Sequence, residues 1–141
     1  MNQDVKQYVK HQRFLLAAGV MMVLLGAARG AGGVALVAKG GAADPKIQAA
    51  GAAVVSAGAS LLLLGALLVV SGVGVIMRRR TAWVLGALAT IAFVMGGAVT
   101  GTVLYGKPSV TGTAINVVAA AAIIACLLAG RGALNAPTTR K

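Results

Sequence analysis

The sequence predicts an all-α polytopic membrane protein: an antiparallel bundle of four transmembrane helices with both termini cytoplasmic. Three observations carry this expectation: the scarcity of charge, four long uncharged runs, and an uneven distribution of cations around them. Of 141 residues, 59% are hydrophobic and 11% charged, and the mean hydropathy is +0.91. A soluble domain carries roughly a quarter of its residues as Asp, Glu, Lys and Arg. This chain has too little polar surface to cover a water-facing globule.

A hydrocarbon core about 30 Å thick needs about 20 apolar residues in a helix, and four stretches qualify. The first reads FLLAAGVMMVLLGAA from Phe14 to Ala28, meets Arg29, and continues as GAGGVALVA up to Lys39. The Gly-rich piece from Gly30 to Gly41 is compatible with helix, loop or a re-entrant segment, and helix to about Ala38 is the expectation. The second run is uncharged from Ile47 to Met77, longer than the bilayer is thick, so it should tilt or protrude. The third extends from Thr81 to Gly106, with Trp83 and Tyr105 near its ends, where aromatic belts sit. The fourth extends from Pro108 to Gly130. Helices are therefore expected over about 12–38, 48–77, 81–105 and 109–130, in one transmembrane domain covering 1–141. Transmembrane strands would alternate apolar and polar residues over about ten positions, and LLLLGALLVV and NVVAAAAIIACLLA do not. Short connections at Gly40-Gly41, Asp44-Pro45, Arg78-Arg79-Arg80 and Gly106-Lys107-Pro108 make successive helices antiparallel neighbours.

Orientation follows from the cations, which are retained on the cytoplasmic side. Lys6, Lys10, Arg13, Arg78, Arg79, Arg80, Arg131, Arg140 and Lys141 fall on one side, and Arg29, Lys39, Lys46 and Lys107 on the other. The majority side is read as cytoplasmic. The net charge of +11 is then a topogenic signal that also attracts anionic headgroups on the cytoplasmic side, at roughly 1 kcal/mol per basic residue near the surface. No basic stretch is interleaved with aromatics as a nucleic-acid reading element, so no nucleic-acid partner is expected. The N-terminus has the outline of a signal peptide, with a basic stretch, an apolar run and small residues at Gly26-Ala27-Ala28; a retained first helix is expected. Cys126 is the one cysteine, so no disulfide forms within the chain, and it reads as a small apolar filler of the fourth helix.

The search for chemistry returns absences. Proton-coupled carriers need a carboxylate within the membrane, and the only acids, Asp4 and Asp44, lie outside the apolar runs. Haem ligation takes paired axial ligands, but the one histidine, His11, sits in the basic N-terminal flank. Metal-ligating clusters and nucleophile–base constellations are missing too. No enzyme, metal or cofactor is expected.

Three features stand out against that background. Arg29 lies within a span, where a cation costs some 2.5 to 3.5 kcal/mol at the helix centre. It is roughly 24 Å along the axis from Arg13, so snorkelling to the outer headgroups is the main expectation. An anion or lipid-phosphate contact is the functional reading, and a pairing with Asp44 is a further one. Small residues recur at four-residue spacing, which lets backbones approach: Gly26 with Gly30, Ser56 with Ser60, Gly97 with Gly101, and Ala121 with Ala125 and Ala129. Packing within the bundle or a protein–protein surface would use such rows. Asn116, with Thr111 and Thr113, and Thr100, with Thr90 and Thr102, are read as interhelical hydrogen-bonding groups or as the polar lining of a pore or small cavity.

The segment GVGVIMRRRTAW, a basic turn followed by Ala and Trp opening the next helix, and LYGKPSVTG leading into a last apolar helix, resemble small uncharacterised bacterial four-helix membrane proteins, including the DoxX-like group, over residues 70–130. The resemblance implies a bacterial cytoplasmic membrane address and transfers no functional residue. The expected role is a non-catalytic structural or accessory subunit, or a self-assembling component, working through helix faces as a homo-oligomer or within a larger membrane complex. The alternative is a small oligomeric channel or carrier for an anion or a small apolar solute. Convergence of the polar positions on one cavity would favour the alternative.

Overall fold

A computed structural model describes residues 3–107 and 109–134. Four helices make up the fold: α1 (Gln3–Lys39), α2 (Ala52–Ile76), α3 (Arg80–Tyr105) and α4 (Val110–Gly130), with short 3-10 turns at Gly40–Ala43 and Arg131–Leu134. All four are long and apolar enough to cross a membrane. Neighbours around the bundle follow chain order, with α4 closing against α1.

Helix ends follow local chemistry. α1 begins well before residue 12 because nothing in QDVKQYVKHQ breaks a helix; at about 55 Å it outruns the bilayer. α2 begins at Ala52 rather than near residue 48. Residues 46–50 instead lie against the end of α3, where the N–H groups of Gln48 and Ala49 donate to the Leu104 carbonyl (2.8 and 3.3 Å). Gly51, with φ +57°, then redirects the chain into α2. Gly106, left-handed at φ +71°, ends α3 as glycine commonly does. Ser109 caps α4, its side chain accepting from the Gly112 N–H.

The end of α2 is unusual. The Arg78 N–H donates to the Val75 carbonyl at 2.9 Å and the Arg79 N–H to the Gly74 carbonyl at 3.0 Å, the two bonds of a Schellman motif. The left-handed residue that this motif reserves for glycine is Arg78, at φ +58°. A side chain in that conformation costs about 1 to 2 kcal/mol.

α1 and α2 meet along a seam of six glycines. A Cβ on Gly19, Gly26 or Gly33 would lie 2.8, 2.6 and 2.7 Å from the carbonyl oxygens of Gly72, Gly65 and Gly58 respectively, and the reverse substitutions meet the reverse carbonyls at 2.8, 2.6 and 3.0 Å. The pairs descend along α2 as they ascend along α1, so the two helices pass in opposite senses, each with one glycine per seven residues at the contact. Lipid supplies no hydrophobic force between helices, and dispersion at close backbone approach takes its place.

The rest of the core divides along the axis. Leu15, Met22, Leu68, Phe93, Ile123 and Leu127, drawn from all four helices, fill the half nearer Arg78–Arg80, hereafter the basic end. Leu36, Val54, Leu61 and Leu104, from α1 to α3 only, form a smaller cluster at the far end. The buried positions of α4 all lie from Ala120 onward, because the large apolar residues before it, Val110, Ile115, Val117 and Val118, face outward. Two tethers hold α4 at the basic end: the Trp83 Nε1–H donates to the Leu127 carbonyl at 2.8 Å, and His11 Nδ1 lies 2.5 Å from the Ala129 carbonyl.

One polar group sits badly in this core. The Ser71 hydroxyl is buried, the residue 2% exposed, with no hydrogen-bond partner among the described residues. An unpaired buried hydroxyl costs about 1 to 3 kcal/mol. Ser71→Ala is expected to raise the thermal midpoint in detergent by a few degrees; a lower midpoint would mean that the hydroxyl has a partner.

Candidate functional site

Where α4 stands away from α1 and α3, a cavity of about 370 Å³ opens toward the far end. Its floor is Arg29. Instead of snorkelling outward, the side chain turns into the bundle, with the guanidinium carbon 4.6 Å from the centroid of the Phe93 ring. Phe93 lies at the middle of α3 and is buried, so the cation sits near the middle of the bundle. Gly97, one turn beyond Phe93, makes room: a Cβ there would collide with the Arg29 guanidinium and come within 2.8 Å of the Asn116 amide nitrogen. Cation, aromatic face and amide therefore converge from α1, α3 and α4 because α3 carries no side chain between them.

Above the floor, Thr100, Tyr105 and Thr113 contribute hydroxyls, and Leu36, Ile47, Leu61 and Leu104 form an apolar wall. Asp44 stands at the mouth. Its carboxylate accepts from the Lys46 N–H at 2.9 Å and from the Tyr105 hydroxyl at 3.1 Å. Those partners take up both oxygens, and no Arg29–Asp44 ion pair forms: the two residues line one cavity from opposite ends.

The Lys46 backbone N–H holds the Asp44 carboxyl below its ordinary range; desolvation opposes it, and the Tyr105 hydroxyl and the Lys46 charge add to it. A depressed carboxylate contributes stability above its unfolded pKa and loses it as pH falls through the folded value. The bond tying the 44–51 connection to Tyr105 should therefore persist at neutral pH and fail only below the ordinary carboxylate range. Hydrogen exchange at the Gln48 and Ala49 amides is the readout, with protection expected to drop on acidification and Asp44→Asn expected to remove that pH step. An unchanged step in Asp44→Asn would assign it to another group.

The other sequence-derived positions lie as follows. Gly26 faces Gly65 across the seam, whereas Gly30 and Gly101 have open space where a Cβ would go; Gly101 lines the cavity. Ser56 and Ser60 face outward, their hydroxyls donating to the Ala53 and Ser56 carbonyls of their own helix at 3.0 and 2.9 Å. Ala121 and Ala125 are exposed on α4, and Cys126 is half-buried. Thr90 and Thr102 likewise bond within α3, to the Gly86 and Ala98 carbonyls. Among the described residues no three His, Cys, Asp or Glu side chains gather where a metal could be held.

No family model, curated protein or solved structure matches the chain.

Sequence reasoning missed Phe93, Tyr105 and the 44–47 connection as parts of this site. Asp44 and Tyr105 are 61 positions apart, and nothing local links them. A seven-residue glycine repeat in α1 and another in α2 was the available signal for the seam, and four-residue spacing concealed it.

Proposed function

We propose that this protein binds a small amphipathic anion in the Arg29 cavity, as a solute-binding or carrier component of a bacterial cytoplasmic membrane. In this reading the chain is an antiparallel four-helix bundle with both termini in the cytoplasm. The observation that carries it is a guanidinium near the middle of the bundle, at the floor of a cavity and without a carboxylate partner among the described residues. Burying Arg at a helix centre costs some 2.5 to 3.5 kcal/mol, and a cation–π contact returns about 0.5 to 2. A bound anion would offset the remainder. The volume lies within the range of small-molecule sites, and an apolar wall with a few convergent polar groups is the usual composition of such sites. Below Arg29 the packed basic-end core closes the path, so solute would enter and leave by the far end unless the helices move.

Benzenesulfonate, a permanent anion with an apolar ring, is the probe. The full-length protein in phosphatidylcholine nanodiscs is expected to melt at a higher temperature as benzenesulfonate is added, and benzyl alcohol should have much less effect. Equal shifts from the two would leave an apolar site with no anion selectivity.

The structural or accessory role has a separate observation in its favour. Ser56 with Ser60, and Ala121 with Ala125, present small residues on exposed faces of α2 and α4, where another helix could approach closely. Native mass spectrometry of protein extracted gently from its membrane tests this: a stoichiometric complex or homo-oligomer supports it, and a lone chain counts against it.

A further inference from the structure

The basic end carries a second site, independent of the Arg29 cavity. Past the last glycine pair of the seam, Gly19 with Gly72, α1 carries Arg13 and the turn that follows α2 carries Arg78. Both line one groove of about 260 Å³ together with Gln12, Leu16 and Ile76. Two arginines thus line one groove. The one carboxylate among the described side chains, Asp44, is engaged at the opposite end.

Arg78 is also held in a chosen direction. Its Nη1 donates to the Tyr8 hydroxyl oxygen at 2.8 Å, and its guanidinium carbon lies 6.0 Å from the centre of the Tyr8 ring. It occupies the left-handed helix-terminating position where glycine carries no strain. Strain retained at an identifiable residue points to a role for its side chain. A generic cytoplasmic charge does not need this position, because Arg79 and Arg80 follow it directly. The groove wall below the arginines is apolar, and Leu16 is 53% exposed. Cations at the membrane boundary above an apolar slot match an anionic headgroup joined to an acyl chain.

We propose that Arg13 and Arg78 form a specific seat for an anionic phospholipid, its phosphate between the two guanidiniums and an acyl chain along Leu16 and Ile76. Neither arginine belongs to the anion cavity, so failure of either proposal leaves the other standing.

The test uses full-length protein in nanodiscs of phosphatidylcholine with graded phosphatidylglycerol, followed by melting and by native mass spectrometry of retained lipid. The natural sequence is expected to hold phosphatidylglycerol and to melt higher as its fraction rises. Arg78→Gly and Arg13→Gln should each retain at least tenfold less of it. Arg79→Gln, which removes the same charge from the same end, should retain it. In pure phosphatidylcholine, Arg78→Gly should melt above the natural sequence because the strain is relieved. Three results would overturn the seat: equal loss in Arg79→Gln, which would make the effect diffuse electrostatics; full retention in Arg13→Gln, a variant with no backbone consequence; or an equal melting shift from soluble glycerol phosphate, which would make the tail irrelevant.

Discussion

Replacing Arg29 with Gln is expected to abolish the benzenesulfonate-dependent rise in melting temperature. A ligand at a hundredfold excess over its Kd stabilises the folded state by about 2.7 kcal/mol, a shift of several degrees in a chain of this size. Gln fits the space but brings no charge, so nearly all of that shift should vanish. Without ligand the ordering reverses: Arg29→Gln is expected to be the more stable protein, because the cost of an inserted cation exceeds the return from Phe93. Arg29→Lys should bind more weakly than the natural sequence, since an ammonium keeps the charge but not the planar stack on the Phe93 ring. A full shift retained in Arg29→Gln would remove Arg29 from the site and with it the anion reading.

The second large effect concerns the seam. In Gly65→Ala the new Cβ would sit 2.6 Å from the Gly26 carbonyl oxygen, with the Gly30 backbone nitrogen at 2.8 Å. Backbone cannot rotate aside as a side chain can, so the helices must part. Overpacking of this kind costs about 1 to 3 kcal/mol. Gly26→Ala should cost a similar amount, and the double variant less than the sum, because one separation relieves both clashes. Gly30→Ala is the control. Its Cβ would enter open space, so stability should hold or rise by up to about 1 kcal/mol from helix propensity. Thermal unfolding in detergent reads all four variants, and a neutral Gly65→Ala would show that the helices are not held at this distance.

The contrast between Gly26 and Gly30 shows what can be read locally. Both are small, both lie on α1, and four-residue spacing treats them alike. Only pairing with α2 separates them, since the facing helix presents Gly65 to one and leaves the Cβ direction of the other empty. Arg29 behaves similarly: its charge and place in an apolar run are plain in the sequence, while its direction depends on Phe93, Gly97 and Asn116 from two distant helices. Taken alone, an arginine at that depth can reach outward to headgroups or inward to a ring.

Four apolar helices and their approximate boundaries were legible from the chain because transfer into lipid depends on the composition of each run, and every backbone hydrogen bond of a spanning helix closes within that run. The early start of α1 and late start of α2 escaped that logic. They lie at the margins, where contacts such as that of the 44–51 connection with Leu104 determine where a helix begins. The seven-residue seam, the inward turn of Arg29 and the cavity beside the first turns of α4 were decided by tertiary structure. Each is a property of surfaces meeting across sequence separations of about 25 to 90 residues, and no local preference encodes which surfaces meet.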